Sequence, residues 1–358
     1  IFIALFNLQS GGQIISSFTR NIDQAKKKKS LYLNVSRFNA EKLPEALFQC
    51  CNLEKLYLQK NKISCLDPGI SQLFLLNTLA LDYNNLDHLP PDIGTLYNLE
   101  NLNVSHNPLK KLPNELGMLE NLQNLWCNSV QIDELPTNIG NLAMLDSFGA
   151  RSNKLTELPP SFSKLTRLTW LTLENNLLKK LPEGFGDLGS LIHLNLSKNR
   201  FDSFPCEILK CTRLRYVYLN HNDISGLTLS EESLRNLSDM IDLVFIDLRY
   251  NPLTKSSPFK DHLKNFPKLK AAVEAAKPGA SAAGNNTTSN VTTNIEESEF
   301  SDWEDSDNSM STGSGYTWEH SCPSSLIDSE EESDIEVEEN EIIVKYLQEI
   351  SRFVSSGS

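Results

Sequence analysis

The chain has 358 residues, a formal net charge of −13 and 39% hydrophobic residues, which is enough material for one large or two small domains. No stretch reaches the roughly 18 uninterrupted apolar residues of a membrane-spanning helix, so we expect a soluble protein without a transmembrane segment. Its seven cysteines are scattered and odd in number, which argues against a disulfide framework and favours a reducing compartment.

The first segment, residues 1–27, is interpreted as an N-terminal extension. It opens on Ile1 instead of Met, as a truncated chain would, and its IFIALF stretch lacks the basic start and cleavage site of a signal peptide. The KKKK run at 26–29 predicts a solvated edge of the next segment. An anionic partner or lipid surface is the alternative.

An internal repeat follows over residues 28–270. Leucine recurs every 23 residues from Leu53 to Leu214, and each copy begins the pattern Leu-x-x-Leu-x-Leu-x-x-Asn-x-Leu, as in LNTLALDYNNL at 76–86. A degenerate unit, with Lys28 in the leading position and Ser36 in the Asn position, precedes these copies. A longer unit follows at Leu243, so we count about ten repeats.

The repeat predicts an α/β solenoid. Alternating Leu-x-Leu gives a short strand with one buried side, and the strands of successive units pair in a parallel sheet. The returning half, such as LPPDIGTLYN, contains Pro and Gly, which favour 3₁₀ turns over a full α-helix. One unit cannot bury its apolar face alone, so stacking of the units must form the core.

The asparagine of each unit is predicted to be structural. A polar side chain inside an apolar core must satisfy its hydrogen bonds, and an amide can bond the backbone of its own turn and of the next unit. The expected ladder consists of Asn61, Asn84, Asn107, Asn153, Asn176, Asn199, Asn222 and Asn251.

The 23-residue form LPxxIGxLxxLxxLxLxxNxL resembles the leucine-rich repeat family. Within it, the chain resembles the intracellular subclass of Ras-pathway scaffolds, Scribble-type polarity proteins and plant Ras-group-related proteins. The resemblance implies a horseshoe that binds other proteins on its concave parallel β-sheet. It also implies a cytoplasmic location, with the nucleus as the alternative.

The chain shows no catalytic signature. We find no phosphate-binding GxxxxGK[ST] loop, HExxH or GxSxG motif, so we expect no enzyme activity and no cofactor. The six histidines lie far apart, which predicts no metal site. The repeat region is near neutral and has no basic stripe, which argues against a nucleic-acid partner.

Two clusters on the predicted concave face are candidate partner-binding sites. The central cluster holds Trp126, Asn128, Gly149, Arg151, Trp170 and Glu174, and the second holds Tyr216, Tyr218, His221, Phe245 and Tyr250. Trp, Tyr and Arg dominate interface hot spots. We expect Trp and Arg to anchor a partner, Glu174 to pair a basic group, and Gly149 to leave room for a partner side chain. The alternative is aromatic cover of the sheet or sequence drift.

The stretch LWCNSVQI at 125–132 departs from the repeat. Cys127 replaces a Leu and Val130 replaces the ladder Asn, while Phe148 and Ala150 stand in Leu positions of the next unit. Small and large substitutions side by side predict one local repacking at constant volume. We interpret it as part of a site, with drift as the alternative.

The tail differs from the repeats. From Lys277 onward there are three basic and eighteen acidic residues, 3 − 18 = −15, and the composition of residues 271–340 predicts a disordered acidic linker. Residues 341–354, EIIVKYLQEISRFV, place apolar residues at helical spacing. They predict an amphipathic helix that docks on a partner or on the solenoid.

These features predict a non-enzymatic scaffold or adaptor in intracellular signal transduction, with a small GTPase or a phosphatase catalytic subunit as the kind of partner. The alternative is an acidic-tailed nuclear leucine-rich repeat protein that chaperones or inhibits basic proteins.

Overall fold

Ten short strands form one open parallel sheet in chain order. The computed structural model describes residues 17–226, 232–233, 236, 240, 242–243 and 245–252. The predicted linker 271–340 and helix 341–354 lie outside these residues. The strands are β1 (Tyr32–Asn34), β2 (Lys55–Tyr57), β3 (Thr78–Ala80), β4 (Asn101–Asn103), β5 (Asn124–Trp126), β6 (Ser147–Gly149), β7 (Trp170–Thr172), β8 (His193–Asn195), β9 (Tyr216–Tyr218) and β10 (Phe245–Asp247).

The chain returns along the outer side mostly as 3₁₀ turns. These cover Pro68–Gln72, Pro91–Thr95, Asn114–Met118, Ile139–Asn141, Pro160–Lys164, Phe185–Asp187 and Cys206–Lys210, and one short α-helix, Glu45–Phe48, precedes them. Proline occupies one of the first two positions in three of the 3₁₀ turns, where its missing N–H costs no hydrogen bond. The horseshoe predicted from the repeat is therefore the observed fold.

The core is a continuous column of leucines between the sheet and the turns. The middle residue of each strand from β2 to β9 is fully buried, as Leu56 and Leu194 show. Phe148, which replaces a Leu, packs its ring 5.9 Å from that of Phe162. In the described part of the chain, no helix is long and apolar enough to cross a bilayer.

Residues 17–28, within and just after the predicted N-terminal extension, are helical (α1). Phe18, Ile22 and Ala25 lie at helical spacing and are buried in the core. The ring of Phe18 lies 5.7 Å from that of Phe38. The helix therefore covers the first end of the leucine column, which would otherwise expose apolar surface to water.

The register of the first unit corrects the sequence-based assignment. Tyr32 pairs with Lys55 and Asn34 with Tyr57, so Ser30 leads the unit and Phe38 takes the Asn position, instead of Lys28 and Ser36. The assignment had treated Leu31 and Leu33 as the buried pair. Leu31 is 55% exposed, and the core instead takes Leu33 and Val35.

The ladder asparagines make one repeated set of bonds. Asn176 donates to the carbonyls of Leu173 (3.0 Å) and Ala150 (2.9 Å), and its Oδ1 accepts from the N–H of Leu155 at 3.0 Å. Each amide thus joins its own turn to the preceding unit. The other ladder residues are Asn61, Asn84, Asn107, Asn153, Asn199, Asn222 and Asn251, all buried.

Two units lack the ladder Asn, and the next asparagine compensates in both. Oδ1 of Asn61 accepts from the N–H groups of Phe38 and Ala40. Oδ1 of Asn153 accepts in the same way from Val130 (3.0 Å) and Ile132 (3.2 Å). A neighbouring amide therefore satisfies the N–H of the substituted position.

The turn around Val130 is rearranged. Lys110 and Gln131 take positive φ values of 62° and 66°, a backbone conformation that non-glycine residues rarely adopt. The N–H of Lys110 donates to the carbonyl of Val130 at 3.0 Å, and the thiol of Cys127 contacts the carbonyl of Gly149 at 3.3 Å. The irregular stretch is thus one rearrangement shared by adjacent units.

We predict that Asn176→Val lowers the free energy of unfolding by about 2–4 kcal/mol, although it imitates the natural Val130, because it strands buried backbone groups without partners. Urea denaturation followed by circular dichroism measures the change. The exposed Thr166→Val in the preceding unit serves as control and should stay within about 0.5 kcal/mol of the parent. Equal midpoints for the two variants would contradict a structural role for the ladder.

Candidate functional site

The concave surface is built from rows of side chains that run across the strands. The first row contains the first residue of each strand, and the second row contains the third residue. A third row lies two residues beyond each strand. A turn row lies just before each ladder position, where residues take positive φ; its members include Lys60, Tyr83, His106, Ser129, Ser152, Asn175, Lys198, His221 and Tyr250. Parallel pairing brings members of one row to about 4.8 Å spacing.

An aromatic patch crosses β7 to β9; we define it as Trp170, His193, Tyr216 and Tyr218. The rings of Trp170 and His193 stack with centroids 3.6 Å apart and an interplanar angle of 2°. Tyr218 lies 5.3 Å from His193 and Tyr216 lies 6.4 Å from it. All four side chains are partly exposed, so the patch is a rigid aromatic surface that faces solvent.

His193 connects the two clusters that the sequence predicted as separate. Trp170 belongs to the central cluster, and Tyr216 and Tyr218 belong to the second. Sequence analysis assigned His193 to neither cluster. Its position in the first row, one strand from Trp170 and one from Tyr216, is the signal that would have found it.

Burial makes His193 a neutral aromatic ring. Desolvation lowers the pKa of His193 to about 4 from its ordinary value of 6.5. The imidazole is therefore uncharged near neutral pH, and the patch offers stacking and hydrogen bonding without net charge.

The structure corrects the roles of Trp126 and Gly149. Trp126 is only 5% exposed, and a Cβ added at Gly149 would lie 2.2 Å from its Cε3 atom. The indole therefore lies flat over Gly149 and fills the space expected for a partner side chain. Gly149 is required for a contact within the sheet, and Trp126 presents little surface for anchoring.

Two polar side chains of the central cluster already have partners within the protein. The carboxylate of Glu174 forms an ion pair with Lys198 at 3.1 Å, so it is not the free acceptor that the sequence suggested. Asn128 accepts a hydrogen bond from the backbone N–H of Arg151 at 2.9 Å. The side chain of Arg151 is exposed. Burial, and then the charge of Arg151, lower the pKa of His106, so this guanidinium lies near His106.

Further aromatic contacts lie in the turn row. His221 stacks on Tyr250 at 4.2 Å, and Tyr250 is 63% exposed. A similar stack of Tyr83 on His106, at 4.1 Å, lies outside both clusters predicted from the sequence. For the predicted site residue Phe245, the structure describes only the backbone, which pairs with that of Tyr216 in the sheet.

The described residues contain no group of three or more His, Cys, Asp or Glu side chains that could hold a metal ion. Burial raises the pKa of the Cys127 thiol well above its usual range and that of Cys211 to about 12. Both thiols are therefore held protonated and are poor nucleophiles.

Comparisons with known proteins agree with this geometry. Residues 125–276 match a family described as Leucine-rich repeat region, and residues 98–119 match Leucine Rich Repeat. These residues match the leucine-rich repeat family, and the ten-stranded parallel solenoid is the fold of that family. A search of curated proteins finds no match.

Several solved leucine-rich repeat structures resemble this protein. A Leptospira interrogans leucine-rich repeat protein shares 29% identity over 64% of this chain and 76% of its own, with a TM-score of 0.45. The functional domain of InlJ from Listeria monocytogenes shares 22% over 65% and 47%, with a TM-score of 0.54. The Arabidopsis receptor kinase HAESA, solved with the peptide hormone IDA and the co-receptor SERK1, shares 24% over 63% and 39%, with a TM-score of 0.54.

The chain therefore spans about half or less of the InlJ and HAESA chains that it matches. At these identities the two similarities show the fold alone.

We predict that Gly149→Ala lowers the free energy of unfolding by about 1–3 kcal/mol, because the new methyl group displaces the Trp126 ring. The same change in a Trp126→Ala background should cost much less, since the ring is gone. Urea denaturation of the four chains of this double-mutant cycle measures the coupling. Additive effects would contradict the contact.

We also predict a pH dependence that belongs to His193. Because its folded pKa is about 4, below its unfolded value, its contribution to stability is complete above about pH 6.5 and is lost as pH falls toward 4. Between pH 7 and 5 the parent should lose about 1–2 kcal/mol more than His193→Gln. Denaturant midpoints of both chains across this range test the effect, and parallel curves would contradict it.

Proposed function

We propose that this protein is a non-enzymatic scaffold that binds a protein partner on its concave face, with the contact centred on the aromatic patch. The stack of Trp170 on His193, continued by Tyr216 and Tyr218, carries the proposal. Rigid, partly exposed aromatic rings supply large contact area at little cost in side-chain entropy, which is why such residues dominate binding hot spots.

The surroundings of the patch favour a folded or extended polypeptide as the ligand. Arg151 supplies an exposed charge elsewhere on the concave face, near His106, and the exposed Tyr250 ring stacks on His221 in the turn row. Charges on this face are mixed: Glu174 pairs with Lys198, and the carboxylate of Asp247 pairs with Arg249 at 2.9 Å. A mixed surface fits a protein partner better than a polyanion such as nucleic acid.

The sequence pattern supports our proposal for the kind of partner. The resemblance to intracellular Ras-pathway scaffolds supports a role in cytoplasmic signal transduction, with a small GTPase or a phosphatase catalytic subunit as candidate partners. The six cysteines of the described residues are free thiols, as expected of a reducing compartment. The HAESA structure, which has the same fold, holds a peptide and a co-receptor. This supports a polypeptide as the ligand.

Photo-crosslinking in cells tests the surface. We expect a photoreactive phenylalanine analogue at Tyr218 to trap a partner that the same analogue at the exposed outer residue Thr166 does not. Trp170→Ala with Tyr216→Ala should weaken binding of that partner by tenfold or more, since two hot-spot truncations remove about 2 kcal/mol or more. Equal trapping at both positions, or unchanged binding with the fold intact by circular dichroism, would contradict the proposal.

The acidic-tail alternative makes a different prediction. Changing the Asp and Glu residues of 296–340 to Asn and Gln in the full chain should leave binding of the concave partner unchanged. If the chain instead binds histone-like basic proteins and loses them in this variant, a chaperone or inhibitor of basic proteins replaces the scaffold.

A further inference from the structure

The solenoid has a second continuous surface at the edge where each strand begins. We define the strand-start edge as the residues that lead from the outer turns onto the sheet. One row of this edge contains Lys28, Cys51, Phe74 and Tyr97, each 23 residues apart. Asn98 donates to the carbonyl of Phe74 and Asn121 to that of Tyr97, both at 2.8 Å. These bonds make the row a regular surface with one member per unit.

The charge and polarity of the exposed side chains change in order along this edge. The end of helix α1, just before the first unit, supplies the exposed basic run at residues 26–29. The next units expose Phe74 (52%) and Tyr97 (54%), with Leu75 beside them. Beyond β4 a crevice of about 260 Å³ follows, and Glu100, Asp146, Met144 and Arg167 are among the residues that line it. The order is therefore basic, then apolar, then a crevice with two carboxylates and one guanidinium.

The exposed apolar residues of this edge indicate a binding site. Single exposed apolar side chains are common on proteins, but adjacent large ones rimmed by charge mark interaction sites. Phe74 and Leu75 follow one another in sequence, and Tyr97 lies one unit away in the same row.

We propose that residues 341–354 of this same chain dock along the strand-start edge. Eight acidic residues lie from Asp328 to Glu339, immediately before this segment, and Glu341 begins it. The apolar positions Ile343, Leu347 and Ile350 follow at helical spacing, and Arg352 lies near the end. Lys345 and Glu349 lie within the segment as well, so the complementarity rests on its two ends: the acidic run matches the basic end of the edge, and Arg352 matches the carboxylates of the crevice.

The dimensions agree. A helix of 14 residues is about 21 Å long, and four strand spacings of about 4.8 Å cover about 19 Å. With Glu341 beside the basic run at β1, Arg352 lies 352 − 341 = 11 residues further, or about 16 Å along the helix. That distance brings its guanidinium to the β4 edge, next to Glu100.

The connection is long enough for docking within one chain. Between Asn251 with its neighbour Pro252 and residue 341 there are 340 − 252 = 88 residues. A flexible linker of that length has a root-mean-square span of about 50 Å, comparable with ten strand spacings. Tethering also gives the segment a high effective concentration at the edge. A short helix that is marginal alone gains an apolar surface on which to form.

Two native cysteines report on this contact in the purified full chain. Cys51 and Cys65 are both exposed, but only Cys51 belongs to the strand-start edge. We expect maleimide to label Cys51 about threefold faster in Ile343→Asp with Ile350→Asp than in the parent, which corresponds to two thirds of parent molecules docked. Cys65 should react equally in both chains. Mass spectrometry of the separate cysteine peptides measures each rate, and equal Cys51 rates would overturn the proposal.

A photo-crosslinker identifies the occupant. A photoreactive phenylalanine analogue at Phe74 of the full chain should form an adduct with residues 341–354 at the mass of one chain. An adduct that joins two chains, or none in this segment, would overturn docking within the chain. The concave variant Trp170→Ala should change neither readout, so failure of this proposal and failure of the proposed function are separable.

Discussion

The fold depends on the hydrogen bonds that one buried asparagine side chain makes to the backbone in nearly every unit. The backbone must turn sharply as it leaves each strand, and the turn leaves carbonyl and N–H groups inside an apolar core, where each unpaired group costs free energy. One asparagine per unit meets this requirement by donating two bonds and accepting at least one across the unit boundary, as Asn176 does with Ala150 and Leu155. Because the partners belong to adjacent units, the bond network also fixes the spacing of the solenoid.

That spacing determines what the surfaces can do. Identical registers place side chains of one row at the separation of neighbouring strands, so flat rings in adjacent units stack without any further adjustment. Trp170 on His193 in the first row and His221 on Tyr250 in the turn row are two products of the same geometry. The stacking removes His193 from water and so lowers its pKa. Recognition chemistry on this face is therefore a consequence of repeat architecture.

The sequence was sufficient for much of this. A 23-residue count identified the fold, the ladder asparagines and the rows of the concave face, because periodicity alone decides which residues share a row. Periodicity could not predict toward which neighbouring row a side chain points. Trp126 covers Gly149 because the glycine has no Cβ, and Glu174 reaches Lys198 one unit away in another row. In the first unit, Leu31 and Leu33 mimicked the buried pair, and only the pairing of β1 with β2 fixed the register.

The same periodicity explains why a solenoid can carry two independent binding surfaces. The concave rows and the strand-start edge lie on different sides of the residues that form each strand. The hydrogen bonds of the sheet lie between these two surfaces. A group that docks on Phe74 and Tyr97 therefore leaves Trp170 and His193 accessible, since the two pairs lie in different rows and on different units. Docking of the tail at the edge would still place the acidic segment 328–341 over the basic run at 26–29. It would thereby neutralise this basic end of the solenoid while the aromatic patch remains open.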